Sequence, residues 1–570
     1  MKSHLWVGLT LAMVTLSILT PSASASLPLY GDPFIYARTG ITAFNLPDGS
    51  SLTSTTMAIN RHRDMAIDIN VVGGSGETGL FYGALEGTQP QGGIVALASD
   101  IITGDPRVNA AGDALYAVGF GDDPFVYDAD EASATPINYP LGVTGSSRLV
   151  LTDNDVIGGR LDFGFTGEAL GTFNRQNAGL PSLTLYAADN GLDASSPYSF
   201  IYTPDTSSFG GPIGGPAGTP RIASKVSKVA GFDFEEIRIF DADGTSRLVA
   251  TEIESDPMAP FSEFITNGVA ISNNGQFVAF QANDLSGTSG IYRFDSQTGK
   301  IDPIAAVGSQ NVTTIDIFSP DVNDQGLVTF RGDDGLGRSS VFVGNGSSVA
   351  RIAGEGDLVV TDLGVRQLGR RDMDFSQSGA PQVNDRGDVG FIFQYFDPTN
   401  PSSIADGSLA MLAPAFLSGD FGDGIFDCSD IDALTAAIAA GSNDLAFDLN
   451  LDGWVNLEDR DVWLAQAGDA NLASGDPYLL GDANLDGTVD GADFLIWNAE
   501  KFSPTAAWCQ GDFNADGITD GADFLLWNAN KFTSADSPGG TVPEPAGMGS
   551  LAGIFLLWGI ARFGKPAVMH

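Results

Sequence analysis

Histidine is scarce in this 570-residue chain, which has only His4, His62 and His570. A catalytic triad needs a His base beside a Ser or Cys nucleophile. His62 stands between arginines in "AINRHRDMAI", at a predicted hairpin turn, so we expect a solvated loop residue there. A zinc site with several His or Cys ligands is excluded by number. The sequence therefore favours neither nucleophilic catalysis nor zinc chemistry.

Cysteine is almost absent as well. The chain contains only Cys428 and Cys509, both in its C-terminal third. An even pair permits one disulfide, which would tie two neighbouring segments together. Two free thiols are an equal alternative, because the sequence does not fix the distance between them.

Basic residues are few: 27 Lys and Arg stand against 71 Asp and Glu, giving a net charge of -44. This balance argues against nucleic acid or an anionic membrane surface as a partner. Hydrophobic residues make up 43% of the chain and aromatic residues 10%, enough to build folded cores. The acidic excess indicates bound cations or high solubility.

Long apolar runs occur only near the two ends. Residues 1–25 have a basic start, an apolar run and Ala23 and Ala25 in an A-x-A pattern, which predicts a secretory signal peptide cleaved after Ala25. The alternative, a first transmembrane helix, is disfavoured because the run is short and Pro21 follows it. We therefore expect an exported protein.

The C-terminal segment 542–570 begins with "VPEP" and continues with a short apolar run, then Arg562 and Lys565. It resembles the PEP-CTERM sorting signal. That resemblance implies processing by an exosortase-type membrane peptidase, transient anchoring of the C-terminal helix in the membrane, and a location in the cell envelope, on the outer surface or outside the cell. Residues 534–541 would be a linker.

Residues 26–417 contain short Val-, Ile-, Phe- and Tyr-rich runs separated by turn residues, and no long amphipathic helix, which predicts an all-β region. A phrase with Asn and then Gly recurs in "AISNNGQFVAF", "DVNDQGLVTF" and "QVNDRGDVGFIF", and predicts β-hairpins. Copies start near residues 58, 107, 150, 221, 270, 321 and 382. Four strands per repeat of this length predict a seven-bladed β-propeller, with a pair of β-sandwiches as the alternative.

This N-x-x-G-x-x-x-F phrase resembles tandem-repeat proteins of uncharacterised function, and that resemblance concerns architecture alone. Phosphate loops and dinucleotide fingerprints are absent from the sequence. Acidic residues such as Glu235, Glu236 and Asp374 would suit glycoside chemistry if they met in space, but nothing around them distinguishes them from surface acids.

Two near-identical stretches, "GDANLDGTVDGADFLIWNAEKF" and "GDFNADGITDGADFLLWNANKF", carry the spacing D-x-N-x-D-G-x-x-D-x-x-D. A twelve-residue calcium loop takes oxygen ligands from positions 1, 3, 5, 7, 9 and 12, with Gly at 6. Position 7 contributes its backbone carbonyl. The predicted Ca²⁺ ligands are Asp482, Asn484, Asp486, Thr488, Asp490 and Asp493 in one loop, and Asp512, Asn514, Asp516, Ile518, Asp520 and Asp523 in the other.

One helix is predicted after each loop, and its aromatic residues recur at helical spacing. We expect the two repeats, residues 480–533, to pack about a pseudo-twofold axis and bury both aromatic sets: Phe494, Trp497, Phe502, Phe524, Trp527 and Phe532. The pair resembles a type I dockerin, an EF-hand-like calcium module that binds a cohesin through hydroxyls at loop positions 10 and 11. Gly491, Ala492, Gly521 and Ala522 stand there, so cohesin binding of that kind is doubtful.

A looser pair precedes it in residues 418–468. The second loop of this pair is complete, with predicted ligands Asp448, Asn450, Asp452, Trp454 through its carbonyl, Asn456 and Asp459. The first has Asp420, Asp423, Asp427 and Asp430 but is one residue short. Two such pairs in tandem predict a stalk stapled by calcium.

Together these features favour a non-catalytic exported protein: a propeller that presents a binding face to polysaccharide or another surface protein, followed by small α-helical dockerin-like modules that act as a spacer or adaptor. The alternative is a secreted polysaccharide-degrading enzyme, a glycoside hydrolase or lyase, with a carboxylate site in its propeller.

Overall fold

The computed structural model describes residues 27–535 except 41, 53–56, 71–77, 87–88, 99–101, 119–122, 176–180, 210–218, 230, 373–376, 417–418, 420, 422–425, 443, 451–452, 473, 475 and 505–506. The predicted signal peptide, most of the predicted linker and the sorting segment lie outside the described residues. The chain divides into two compact units, 1–417 and 418–570. No helix in the described part of the chain has the length and apolar character needed to cross a membrane.

The first unit opens with two short strands, β1 (Leu29–Tyr30) and β2 (Phe34–Arg38). Three antiparallel four-stranded sheets follow as blades 1 to 3. Blade 1 contains β3 (Met57–Ile59), β4 (Met65–Asn70), β5 (Thr78–Glu86) and β6 (Gln89–Ala98). Blade 2 contains β7 (Ile102–Val108), β8 (Ala114–Val118), β9 (Asp123–Asp128) and β10 (Ser133–Pro136). Blade 3 contains β11 (Gly145–Leu151), β12 (Val156–Asp162), β13 (Glu168–Asn174) and β14 (Leu183–Ala188).

In blades 4 to 6 the innermost strand is broken into two pieces that both pair with the next strand. Blade 4 contains β15 (Tyr198–Ile201), β16 (Asp205–Thr206), β17 (Ile222–Lys228), β18 (Gly231–Phe240) and β19 (Ser246–Thr251). Blade 5 contains β20 (Phe261–Phe264), β21 (Ala270–Ile271), β22 (Phe277–Asp284), β23 (Ser289–Asp295) and β24 (Lys300–Ala306). Blade 6 contains β25 (Val312–Ile315), β26 (Asp321–Val322), β27 (Val328–Asp334), β28 (Ser339–Gly344) and β29 (Val349–Gly354).

Blade 7 joins the two ends of this unit. It contains β30 (Leu358–Thr361), β31 (Gly364–Leu368), β32 (Gln377–Val383), β33 (Val389–Phe396) and β34 (Gly407–Ala413). Its outer strand is β2, which pairs antiparallel with β34, and β35 (Ala415–Phe416) pairs with β1. The seven sheets form a seven-bladed β-propeller closed by its N-terminal strand, so the predicted propeller is confirmed and the β-sandwich alternative is wrong.

The core of the propeller lies between its blades. The described residues form seven buried apolar clusters, and each cluster takes its members from two neighbouring blades around the ring. In the cluster between blades 4 and 5, Phe280 packs edge-to-face on Phe261 and Phe264 at centroid distances of 5.5 and 5.9 Å. Because each blade buries both faces, the apolar residues of its central strands form near-continuous runs.

The recurring Asn phrase forms the turn between the innermost strand and the second strand, as predicted. In blade 6 the Asn323 side chain accepts hydrogen bonds from the amides of Gln325 and Leu327, at 3.1 and 2.9 Å. Gly326 follows at φ +76°, a conformation that favours glycine. Blade 4 departs from the prediction: its innermost strand ends at Thr206, upstream of the expected start at 221, and its second strand begins at Ile222.

The second unit contains α1 (Cys428–Ala439), α2 (Leu457–Asn471), α3 (Gly491–Glu500), α4 (Gly521–Asn530) and the two-stranded β36 (Thr488–Val489) and β37 (Thr533–Ser534). Each helix begins with a capping box whose N-cap residue is position 9 of a predicted calcium loop: Asp427, Asn456, Asp490 and Asp520. Cys428 and Cys509 are joined in a disulfide, which resolves the choice left open by the sequence.

Candidate functional site

Each of the two C-terminal repeats places two carboxylates of its predicted calcium loop in its interior. We call residues 420–430, 448–459, 482–493 and 512–523 loops I to IV. In loop III the side chains at positions 1 and 12, Asp482 and Asp493, are fully buried, and so are Asp512 and Asp523 in loop IV. None of these four forms an ion pair with a Lys or Arg in the described part of the chain. Burial of unpaired carboxylates is unfavourable unless a cation or proton neutralises them.

Main-chain amides hold these carboxylates in the same way in both loops. Asp493 accepts hydrogen bonds from the amides of Ala483 and Asp490, at 2.9 and 2.7 Å. Asp482 accepts from the amide of Gly487 at 2.9 Å. The corresponding distances in loop IV agree within 0.1 Å: 2.9, 2.8 and 2.9 Å. The two loops are therefore copies in geometry as well as in sequence.

The electrostatics of loops III and IV reflect this crowding of negative charge. Burial, followed by repulsion from Asp493, raises the pKa of Asp482 to about 7. Burial and the charge of Asp523 raise the pKa of Asp512 to about 6. Burial also raises the pKa of both position-12 carboxyls. A divalent cation is the ligand that would relieve this repulsion.

The side chains at positions 3 and 5 are hydrogen-bonded to one another, with the Asn side-chain N–H as donor and the Asp carboxylate as acceptor. In loop III the amide of Asn484 donates to Asp486 at 2.8 Å, and loop IV repeats the bond between Asn514 and Asp516 at 2.9 Å. Within the described residues no three His, Cys, Asp or Glu side chains converge as a metal cluster. The predicted calcium set of each loop combines carboxylates with a side-chain amide and a backbone carbonyl.

Loops I and II share part of the arrangement. In loop II, Asp448 and Asp459 are fully buried, and Asp459 accepts hydrogen bonds from the amides of Asn450 and Asn456 at 3.1 and 2.8 Å. In loop I, Asp430 accepts from Phe421 and Asp427 in the same way. The predicted ligand Asp452 lies outside the described residues, as do Asp420 and Asp423 of the shortened loop.

The aromatic faces of α3 and α4 pack against each other. Phe494 contacts Trp527, and Trp497 contacts Phe524, each with ring centroids 5.1 Å apart. The prediction was wrong for Phe502 and Phe532, whose side chains are 76% and 78% exposed. Both residues lie beyond the end of their helix and have positive φ values. This backbone conformation directs each ring to solvent, while the main chain stays in contact with the other repeat.

In the first unit, the Asn turns meet at one end of the central channel. A closed circuit of hydrogen bonds passes through all seven turns, one link between each pair of neighbouring blades. The links are Asn60 Nδ2 to Asn109 O, Ala110 N to Asp153 Oδ1, Asp153 N to Ser208 Oγ, Ser208 N to Asn273 O, Asn274 N to Asp324 Oδ1, Asn323 Nδ2 to Asn384 O, and Asn384 Nδ2 to Asn60 O, all between 2.7 and 2.9 Å.

A cavity of about 140 Å³ opens beside this circuit, lined by innermost-strand and turn residues of all seven blades. Its charged lining residues are Arg61, Arg107, Asp153, Asp205, Asp321 and Asp385. Burial raises the pKa of Asp321 to about 7. Burial also raises the pKa of Asp385. Sequence reasoning missed this cluster, although a hairpin assignment places the residue after each Asn at the same end of the propeller.

Two of the carboxylates singled out in the sequence, Glu235 and Glu236, form ion pairs with basic residues. Glu235 bonds to Lys225 at 2.8 Å, and Glu236 bonds to Lys228 and Arg238 at 2.9 and 2.8 Å. Both residues therefore have a structural role within blade 4. Asp374 lies outside the described residues, and His62 is exposed in the first turn.

Comparison with known proteins finds one family model and a set of solved structures with a similar fold. Residues 189–419 match the model of a family of unknown function, DUF7453. No curated protein matches the chain. Among solved structures, an oligogalacturonate lyase in complex with manganese is 12% identical with a TM-score of 0.43, covering 69% of this chain and 98% of that one. The corresponding lyase from Vibrio parahaemolyticus is 11% identical with a TM-score of 0.42, covering 68% and 98%.

The β-propeller domain of the trilobed protease from Pyrococcus furiosus is 11% identical with a TM-score of 0.37, and covers 66% of this chain and 100% of that domain. At such identities the likeness to these structures concerns the β-propeller fold and extends to no activity.

Proposed function

We propose that this protein is an exported binding or scaffold protein of the cell envelope or extracellular space, with a seven-bladed propeller as its binding module and calcium-stabilised dockerin-like repeats following it in the sequence. The observation that carries the proposal is the pair of fully buried, like-charged carboxylates at positions 1 and 12 of loops III and IV. Such pairs destabilise a fold unless a cation neutralises them. Calcium is the cation whose oxygen ligands this loop spacing supplies.

Asp482, Asn484, Asp486, Thr488, Asp490 and Asp493 would hold the ion in loop III, and the corresponding six residues would hold it in loop IV. Bound calcium supplies the positive charge that offsets the repulsion between the two buried carboxylates. The position-12 residue lies in the first turn of each helix. With Asp493 and Asp523 among its ligands, calcium would connect each loop to the start of its helix.

The propeller offers a surface that suits a protein partner. Because the turns that follow the innermost strands all lie at one end, the turns between second and third strands lie at the other end. Each of the five such turns in blades 3 to 7 carries an exposed large apolar side chain: Phe165, Val229, Leu285, Leu336 and Ile404. Exposed apolar residues gathered on one end of a monomer are typical of interaction surfaces. We favour a surface protein as the partner of this end.

The two ends of the chain support the proposed location. Residues 1–25 would direct export, and residues 542–570 would be read by an exosortase-type sorting peptidase after transient insertion in the membrane. Cell fractionation of the full chain and of a variant ending at residue 541 tests this location. We expect the full chain in the envelope or outside the cell. We expect no shortened chain in the membrane fraction.

Calcium dependence tests the central part of the proposal. The full chain is heated with 2 mM calcium or with chelator, and unfolding is followed by calorimetry and far-UV circular dichroism. We expect chelation to lower the melting temperature of the helical unit and leave the propeller transition in place. Asp482→Ala and Asp512→Ala should remove most of the calcium effect, whereas Asp476→Ala, at an exposed position, should keep it. Identical curves with and without calcium would overturn the proposal.

The second candidate is a polysaccharide-degrading enzyme, favoured by the channel carboxylates Asp153, Asp321 and Asp385. Incubation of the protein with a panel of polysaccharides, followed by measurement of new reducing ends, separates the two candidates. Sugar release that is lost in Asp385→Asn would establish an enzyme. Glycan or protein binding without release would support the binding protein.

A further inference from the structure

The two repeats exchange hydrogen bonds through their tryptophans. Trp497, on α3, donates its indole N–H to the backbone carbonyl of Asp520 in loop IV at 2.7 Å. Trp527, on α4, donates to the carbonyl of Asp490 in loop III at 2.8 Å. Each helix therefore holds the loop of the other repeat at position 9, the N-cap.

Main-chain hydrogen bonds also connect the two repeats, with acceptors one residue before Asp520 and Asp490. The amide of Phe502, just after α3, donates to the carbonyl of Thr519 in loop IV, and the amide of Phe532, just after α4, donates to Val489 in loop III. Both distances are 2.6 Å. At these two positions the main chain, not the phenylalanine ring, contacts the other repeat.

The peptide groups held in this way also orient a predicted ligand. The peptide between Val489 and Asp490 accepts from Phe532 through its carbonyl and donates through its N–H to the position-12 carboxylate, Asp493, at 2.7 Å. The peptide between Thr519 and Asp520 does the same for Asp523 at 2.8 Å. A single peptide group therefore connects the position-12 carboxylate of each loop to the main chain of the other repeat.

We propose that Trp497 and Trp527 are positioning residues that couple loops III and IV, so that calcium bound in either loop raises the calcium affinity of the other. This inference rests on the proposed calcium function. Each helix has only ten residues, too few for stability in isolation, and its first turn belongs to its own loop. An ion that orders loop III therefore orders α3, which brings Trp497 onto loop IV.

Calcium titration of the full chain, followed by ¹⁵N NMR, tests the coupling. The amides of Gly487 and Gly517 bond to the position-1 carboxylates of loops III and IV, so their resonances report the two loops separately. We expect Trp497→Phe, which keeps a ring but loses the N–H donor, to raise the calcium midpoint of Gly517 by about fivefold, the effect of losing one hydrogen bond. The midpoint of Gly487 should change less, and Trp527→Phe should give the reverse pattern.

Asp512→Ala provides a second test that needs no aromatic substitution: removing the loop IV site should raise the calcium midpoint of Gly487. Leu495→Ala, at an exposed position on α3, is the matched control and should leave both midpoints unchanged. Tryptophan variants that act on their own loop, or equally on both, would overturn the coupling while leaving calcium binding intact. Resonances of the wild type that do not respond to calcium would overturn the proposed function and the coupling with it.

Discussion

The Cα of Trp527 lies 2.7 Å from the point where a Cβ on Gly481 would stand, and Trp497 approaches Gly511 in the same way at 3.0 Å. Both glycines have φ near +100°. A side chain at either position would meet the backbone of the opposite helix. The Gly that opens each repeat is therefore required by the packing of the two repeats.

Replacing Gly481 with Ala tests this close approach. We expect a loss of about 2 kcal/mol or more in the free energy of unfolding, because the new methyl group meets backbone and the φ value disfavours a side chain. Gly491→Ala is the control, since a Cβ there meets nothing within 4 Å. Urea unfolding of the helical unit, followed by tryptophan fluorescence, measures both. Equal midpoints for the two variants would contradict the packing argument.

The hydrogen-bond circuit of the propeller depends on its buried Asn residues. Asn323→Ala removes the acceptor of two main-chain amides and the link to Asn384. We expect the propeller to lose about 2 to 4 kcal/mol of stability, since buried amides are left without partners. Gln325→Ala, at the exposed tip of the same turn, should change stability by less than about 0.5 kcal/mol. Calorimetry of the propeller transition compares them.

The buried carboxyl of Glu252 predicts a pH dependence. Burial, with a further contribution from the charge of Glu235, raises its pKa to about 7. The folded state therefore binds this proton more tightly than the unfolded state, and stability falls as pH rises from the ordinary Glu range to about 7. Glu252→Gln keeps an acceptor for the amide of Phe264 and cannot ionise. Its melting temperature should exceed that of the wild type at pH 8 and approach it near pH 4.5.

Glu236, in the same blade, provides a control of opposite sign. Burial acts to raise its pKa, but hydrogen bonds from Lys228 and Arg238 outweigh burial and lower the pKa. The folded state therefore favours the ionised form, a contribution that is present at neutral pH and is lost on acidification. Glu236→Gln should melt below the wild type at pH 8. A constant difference from the wild type across this pH range, for either variant, would refute the assignment.

The disulfide predicts a redox dependence confined to the helical unit. Cys428 and Cys509 are 81 residues apart in sequence. A cross-link that closes a loop of that length lowers the conformational entropy of the unfolded chain and so stabilises the folded state by about 4 kcal/mol. Reduction, or Cys428→Ser with Cys509→Ser, should lower the urea midpoint of this unit. The propeller transition should not move, because the chain has no other cysteine.

Local sequence pattern was sufficient to predict six of the seven blades. The Asn and Gly of each phrase act within one turn, as Asn323 and Gly326 do, so a hairpin could be inferred from a few neighbouring residues. Blade 4 could not be predicted in this way, because fifteen residues separate Thr206 from Ile222 and no Asn phrase follows its innermost strand. The channel acids could not be predicted either, because they meet only after seven turns, distant in sequence, have closed into a ring.

In the helical repeats, the spacing of Phe494 and Trp497 predicted their packing, since both lie within one helix. The same spacing failed for Phe502, because the helix ends at Glu500 and the periodicity no longer applies. The crossed bonds from Trp497 and Trp527 depend on how two helices meet, and a single-helix pattern contains no information on that relation.

The N-terminal closing strand has a consequence for the order of folding. Ile35 pairs with Met411, so the ring cannot close until more than 370 further residues have been synthesised. Until then β2 has no partner strand and the outer edge of blade 7 does not exist. Contacts so distant in sequence form slowly. Ring closure is therefore one of the last steps in folding of the propeller, and a chain that stops before β34 begins at Gly407 has at most six complete blades.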